Sequence, residues 1–140
     1  MNQVALVGNI TDDPELRYTQ SGAALAGFTV AVSHRSKHNG EWQDVTDGFF
    51  RCTAWRSVAE NASRTLKKGM QVFVAGKLVQ RSFEVEGNKR QTVEIQVTHV
   101  GPDLQFATAD VTKSKSTAEG LKSSSDGPSA ATSNGEQQSA

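Results

Sequence analysis

Cysteine is nearly absent from this 140-residue chain: Cys52 stands alone, so no intrachain disulfide can form, as suits a reducing compartment. Charge of one sign is missing too. Lys+Arg and Asp+Glu each number 15, which excludes a protein that coats a polyanion by bulk positive charge and leaves only local patches for that task. No apolar run approaches the ~20 residues that a membrane helix needs. The start, Met1-Asn2-Gln3, has no basic residue, and the apolar run after it breaks at Gly8-Asn9, so no signal peptide is expected. These absences describe a soluble cytoplasmic protein with one domain.

Aromatic residues are few and confined. Every Phe, Tyr and Trp lies at or before Phe106, and Val111 and Leu121 are the only large apolar residues beyond it. Residues 107–140 are rich in Ser, Thr, Ala, Gly and Gln, and cannot bury enough surface to offset their conformational entropy. They are expected to form a disordered tail behind a folded domain at 1–106. The domain carries 12 basic and 11 acidic side chains and the tail 3 and 4, so neither part has a strong net charge.

Within 1–106 the dominant period is two, the mark of half-buried strands. Val93, Ile95 and Val97 alternate with polar residues, and Val72, Val74, Gly76 and Leu78 mark one face of a strand over about 71–83. Gly87-Asn88 between them fits a hairpin turn. Phe28, Val30 and Val32 define an earlier strand followed by a polar loop through Asn39-Gly40. Another strand spans about 48–55, and Val4, Leu6 and Val7 begin the first, which ends before Asp13-Pro14. One helix is expected. Ser57-Val58-Ala59-Glu60 has capping-box spacing, Val58, Ala59, Ala62 and Leu66 recur at helical spacing, and Lys67, Lys68 and Gly69 suit its end. Three strands, a helix and two strands predict an all-β domain with one helix, a five-stranded OB-fold barrel.

The strand Phe49-Phe50-Arg51-Cys52-Thr53-Ala54-Trp55 carries the functional signal. Alternation puts Phe49, Arg51, Thr53 and Trp55 on one face. Phe50, Cys52 and Ala54 take the other, which suits a barrel interior or a subunit contact. Flat rings for unstacked bases interleaved with cations for phosphates are what single-stranded nucleic acid requires. Lys77, Arg81 and Phe83 repeat the mixture on another strand, with Lys89-Arg90 across its hairpin; Arg35, Lys37 and Trp42 extend it, and Lys68 divides its role with the helix end. Packing of these aromatics under a loop is the competing reading. His34 and His38 have ligand-like spacing but no third ligand, so no metal, cofactor or enzymatic activity is expected.

In these blocks the chain resembles the bacterial single-stranded DNA-binding proteins. The resemblance spans about residues 2–106 and rests on Val4-Ala5-Leu6-Val7-Gly8-Asn9, Asp13-Pro14-Glu15-Leu16-Arg17-Tyr18, Phe50-Arg51-Cys52-Thr53-Ala54-Trp55, Leu66-Lys67-Lys68-Gly69, Val74-Ala75-Gly76-Lys77-Leu78 and Arg81-Ser82-Phe83. It implies a homotetrameric OB-fold that wraps single-stranded DNA without reading its sequence, in replication, recombination or repair, at the bacterial nucleoid. It also implies stacking on Phe49, Trp55 and Phe83 and basic contacts from Arg51, Lys68 and Arg81, with Ser36 where the family often has a loop tryptophan. The tail departs from the pattern. It closes Glu136-Gln137-Gln138-Ser139-Ala140, without the acidic run and terminal aromatic through which the family recruits other proteins. DNA coating kept and recruitment lost or rerouted would mark a specialised paralogue. In a symmetric assembly Cys52 would meet its mate in an intersubunit disulfide, or else remain a buried thiol. The rival functions are an oligomeric protein-interaction module on the same barrel and a single-stranded RNA binder.

Overall fold

The computed structural model describes residues 1–114. Six strands and a helix follow one another as β1 (Val4–Ile10), β2 (Glu15–Tyr18), β3 (Ala24–His38), β4 (Glu41–Trp55), α1 (Arg56–Thr65), β5 (Gln71–Val85) and β6 (Asn88–Pro102). The sheet runs β1-β5-β6-β4-β3-β2, and β1 turns back onto β3 through Asn9↔Ala31 and Ile10↔Val30. Five strands therefore close a barrel of OB-fold type, and β2 is a sixth strand laid on the outer edge of β3. All neighbours are antiparallel except β4 and β6, which meet in parallel at Arg51↔Glu94, Cys52↔Ile95 and Thr53↔Gln96. The compact unit extends over Met1–Ala109; beyond it the described residues 110–114 hold no helix or strand. The expected disordered tail lies mostly outside the described residues. Among them, no helix is long and apolar enough to cross a membrane.

Alternation builds the core. Ala24, Ala26, Phe28 and Val30 of β3 point inward with Cys52 and Ala54 of β4, Val72 and Val74 of β5, and Ile95 and Val97 of β6. Ala59 and Ala62 of α1, with Leu66 just after it, seal one end. Burying a side chain such as Phe28 contributes about 1.5–3 kcal/mol. Where strands cross most closely only glycine fits. A Cβ on Gly8 would run into the Ala31 carbonyl, and one on Gly76 into the Gln96 carbonyl.

Several local expectations are corrected. The polar stretch after Val32 is not a loop, because β3 and β4 continue as a two-stranded arm to His38↔Glu41 and turn at Asn39 (φ 49°) and Gly40 (φ 79°). Two successive positive φ angles match the right-handed twist of the strands they join. The β5–β6 hairpin likewise turns at Glu86 (φ 52°) and Gly87 (φ 81°), one residue before the expected pair. Val93 falls beyond the barrel on this second arm and is exposed, and Leu78, opposite the core residue Ile95 at the barrel's rim, is exposed too. The helix is entered through a sharp corner: Trp55 is extended, without a side-chain cap bond of its own, and Arg56 turns at φ 56° ahead of Ser57. At the other end α1 stops at Thr65, so Lys67 and Lys68 lie beyond it. Gly69 (φ 89°) shapes the following turn, where its N–H donates to the Ile10 carbonyl at 2.7 Å.

Candidate nucleic-acid interface

Directly paired residues on neighbouring strands share a face. Arg51 of β4 pairs with Glu94 of β6, which pairs with Val79 of β5; Thr53 pairs with Gln96, and Gln96 with Lys77. Further out on the β5–β6 arm Thr92 pairs with Arg81 and Arg90 with Phe83. The two aromatic–basic clusters seen in the sequence thus occupy one continuous face, joined through β6. Phe49 stands out from it at 67% exposure, opposite Ala31.

Glu94 knits this face together. Its Oε1 accepts from Arg81 Nε at 2.9 Å and from Thr53 Oγ1 at 3.4 Å, with the carboxylate largely covered and the guanidinium half exposed. Arg51 appears in none of the ion pairs among the described residues. Its guanidinium lies over Gly27 with Nη2 nearest, so a larger residue there would push it away. Beside it opens a cleft of about 230 Å³ rimmed by Thr11, Asp12, Asp13 and Glu15.

A β-bulge brings the β3–β4 arm onto the same face. Val32 pairs with Gly48 but Ser33 with Thr46, so Asp47 is an extra residue on β4 and the parity of that strand reverses beyond it. Asp47 Oδ1 meets His34 Nδ1 at 2.8 Å. Beyond the bulge, Arg35 faces Asp44 at 4.0 Å, and Lys37 faces Trp42 with its Nζ 5.9 Å from the ring centroid, a cation–π contact. Trp42 therefore follows Phe49 along one surface despite its even number. Lys68 stands apart. It lies on the α1–β5 connection, its N–H donating to Asp13 Oδ1 at 2.8 Å, and no strand pairing joins it to the face.

Cys52 is 0% exposed, enclosed between Phe28 and Ile95. Within this chain the sulfur is free and buried, where it packs as a small apolar side chain. Burial pushes its thiol up to about 12, with Arg51 opposing and Glu94 adding to the shift. Among the described residues no group of three or more His, Cys, Asp or Glu is placed to hold a metal ion.

Two residues of the face escaped sequence reasoning. Glu94 was seen only as the polar side of a strand. Arg17 of β2 pairs with Leu25, and Leu25 with Trp55, which sets a further cation in the row of Trp55.

Residues 1–103 match the single-strand binding protein family. The chain belongs to that family. It is 50% identical over 113 residues to a single-stranded DNA-binding protein of Mycobacterium tuberculosis, covering 79% of this chain and 69% of the relative. Against one from Mycolicibacterium smegmatis the identity is 51% over 113 residues, covering 79% and 68%. Its fold is similar to the crystal structure of the small single-stranded DNA-binding protein from Streptomyces coelicolor, with a TM-score of 0.63 and 33% identity, covering 73% of this chain and 94% of that one. Membership in the single-strand binding protein family spans the whole barrel and both arms.

Proposed function

We propose that this chain binds and protects single-stranded DNA without reading its sequence, serving replication, recombination or repair as a non-enzymatic protein. Bases stack on Phe49, Trp55 and Phe83, with Trp42 on the arm, while phosphates meet Arg51, Lys77, Arg81 and Arg35, and Lys68 at the margin. One observation carries the reading: the β4–β6–β5 register sets rings and cations from distant parts of the chain on a single exposed face. Stacking is worth about 1–3 kcal/mol per base, so a few rings suffice without net positive charge. The domain is residues 1–106, followed by a Ser/Thr/Gly/Ala-rich tail at 107–140. Cytoplasmic, nucleoid-associated action follows from the same reading.

The assembly proposed is a homotetramer. The barrel leaves part of β1 as an open edge, and Val7 (41% exposed) lies directly across from Phe73 (45%) on the outer surface. An open edge beside exposed apolar residues supports pairing between copies.

The test is a tryptophan-fluorescence titration with oligothymidine at several salt concentrations. The expected result is saturable quenching whose log K falls linearly with log salt at about −0.7 per neutralised phosphate. A flat titration at low salt would refute DNA binding. Stronger binding to an RNA strand of equal length would refute the DNA assignment.

A further inference from the structure

β4 ends at Trp55, so a strand of DNA that has reached this ring must leave the barrel over another element. We propose that it leaves across β3 and β2, with the Arg17 guanidinium holding the phosphate beyond the base on Trp55. This rests on the DNA-binding reading above and extends its surface to an element outside the barrel.

Three observations carry it. The first is register: Trp55, Leu25 and Arg17 are successive cross-strand partners and stand in one row on one face. Strands lie about 4.8 Å apart, so the row spans about 10 Å from the Trp55 backbone to the Arg17 backbone, a gap that the two long side chains reach across. Its order is aromatic, apolar and cationic, the order of base, sugar and phosphate in a single nucleotide. The second is availability. The Arg17 side chain is 68% exposed, and its ion pair with Glu15 has a separation of 4.0 Å, with both partners in water, where such pairs hold little energy. A phosphate therefore displaces Glu15 at small cost. The third is the charge on the neighbouring route. A strand turning from Arg51 towards the β1–β2 connection enters the cleft rimmed by Asp12, Asp13 and Glu15, whose carboxylates repel phosphate. Arg17 is the next cation along β2 from that rim, and its guanidinium offsets the charge of Glu15 at the rim's edge.

The test uses the full-length protein and two readouts. R17Q removes the charge from an exposed edge strand and leaves the fold intact, which a thermal melt checks. Its affinity for a long oligothymidine should fall several-fold at low salt, and its log K–log salt slope should become shallower by about 0.7 for each chain engaged. R17K, which restores a point charge, should recover the slope. Independently, R17C carrying a photoactivatable azidophenacyl group should cross-link to oligothymidine, whereas N61C on the exposed face of α1 should not; the buried Cys52 stays unlabelled in both. A wild-type slope for R17Q, or cross-linking from position 17 no greater than from position 61, overturns the β2 exit. If F49A still weakens binding in that case, DNA binding on the barrel face stands and only the route is wrong. If the wild-type protein shows no salt-dependent binding, both fall together.

Discussion

Phe49→Ala separates stacking from folding better than any other change on this face. The ring is 67% exposed, opposite Ala31 and next to Gly48, so little of the protein leans on it. The covered third of a ring that buries ~200 Å² when fully enclosed is about 65 Å², or about 1.6 kcal/mol at 25 cal/mol per Å². That is an upper figure, since real unfolded chains already cover some of it. The melting temperature should drop by several degrees, while a protein with ordinary stability stays more than 99% folded at 25 °C. Binding should suffer independently. Losing one stacked base costs about 1–3 kcal/mol, or about 5- to 150-fold in affinity. Because the stacking contact is uncharged, the salt slope should stay at its wild-type value. Trp42 and Trp55 both remain, so the same quenching titration reports on the variant. Wild-type affinity in a folded F49A protein would refute the role of this ring. A weakened affinity with a shallower salt slope would show that the substitution had disturbed Arg51 instead.

Glu94→Gln should strengthen low-salt binding several-fold and steepen the salt slope by about 0.7, because the carboxylate that engages Arg81 and Thr53 loses its charge; unchanged or weaker binding would count against Arg81 as a phosphate contact. Cys52 should resist a thiol reagent such as DTNB at pH 8 in the folded protein and react stoichiometrically in guanidinium. Its thiol is raised from 9.0 to about 12 on folding, so the stability it lends is complete below pH 9 and declines as pH rises from 9 towards 12; alkaline denaturation monitored by circular dichroism, with C52A as reference, checks the sign. Gly76→Ala should destabilise the barrel by about 1–3 kcal/mol, since its new methyl meets the Gln96 carbonyl and strands on both sides must shift; a melt within a degree of wild type would show that the closure is looser than drawn.

How much of this was legible in the sequence follows from how far each signal acts. Alternation acts within a strand. It placed Phe49, Arg51 and Trp55 together, set Cys52 opposite them, and left open whether that opposite side was interior or interface. Only the pairing of Cys52 with Phe28 and Ile95 decides for the interior, and that pairing joins strands separated by a helix and a hairpin. The same non-local step unites Arg51 with Lys77 and Arg81, and nothing in either strand announces it. Arg17 stayed hidden for a simpler reason: a four-residue strand after Pro14 offers too few alternations to show a period. The spacing of Ser57 to Glu60 points to the start of the helix but not to the corner at Arg56, where the backbone turns at φ 56° just ahead of it. Trp42 is the sharpest case. Counting by twos from Phe49 puts an even-numbered residue on the wrong side, and the count fails because Asp47 is an extra residue in the ladder. A bulge changes which face every side chain beyond it in the arm takes, without altering composition or hydrophobic pattern there. Deleting Asp47 should therefore do more than trim a strand: it would restore simple alternation, turn Trp42 away from Lys37 and Phe49, and remove the arm from the binding face while leaving the core positions of β4 in place.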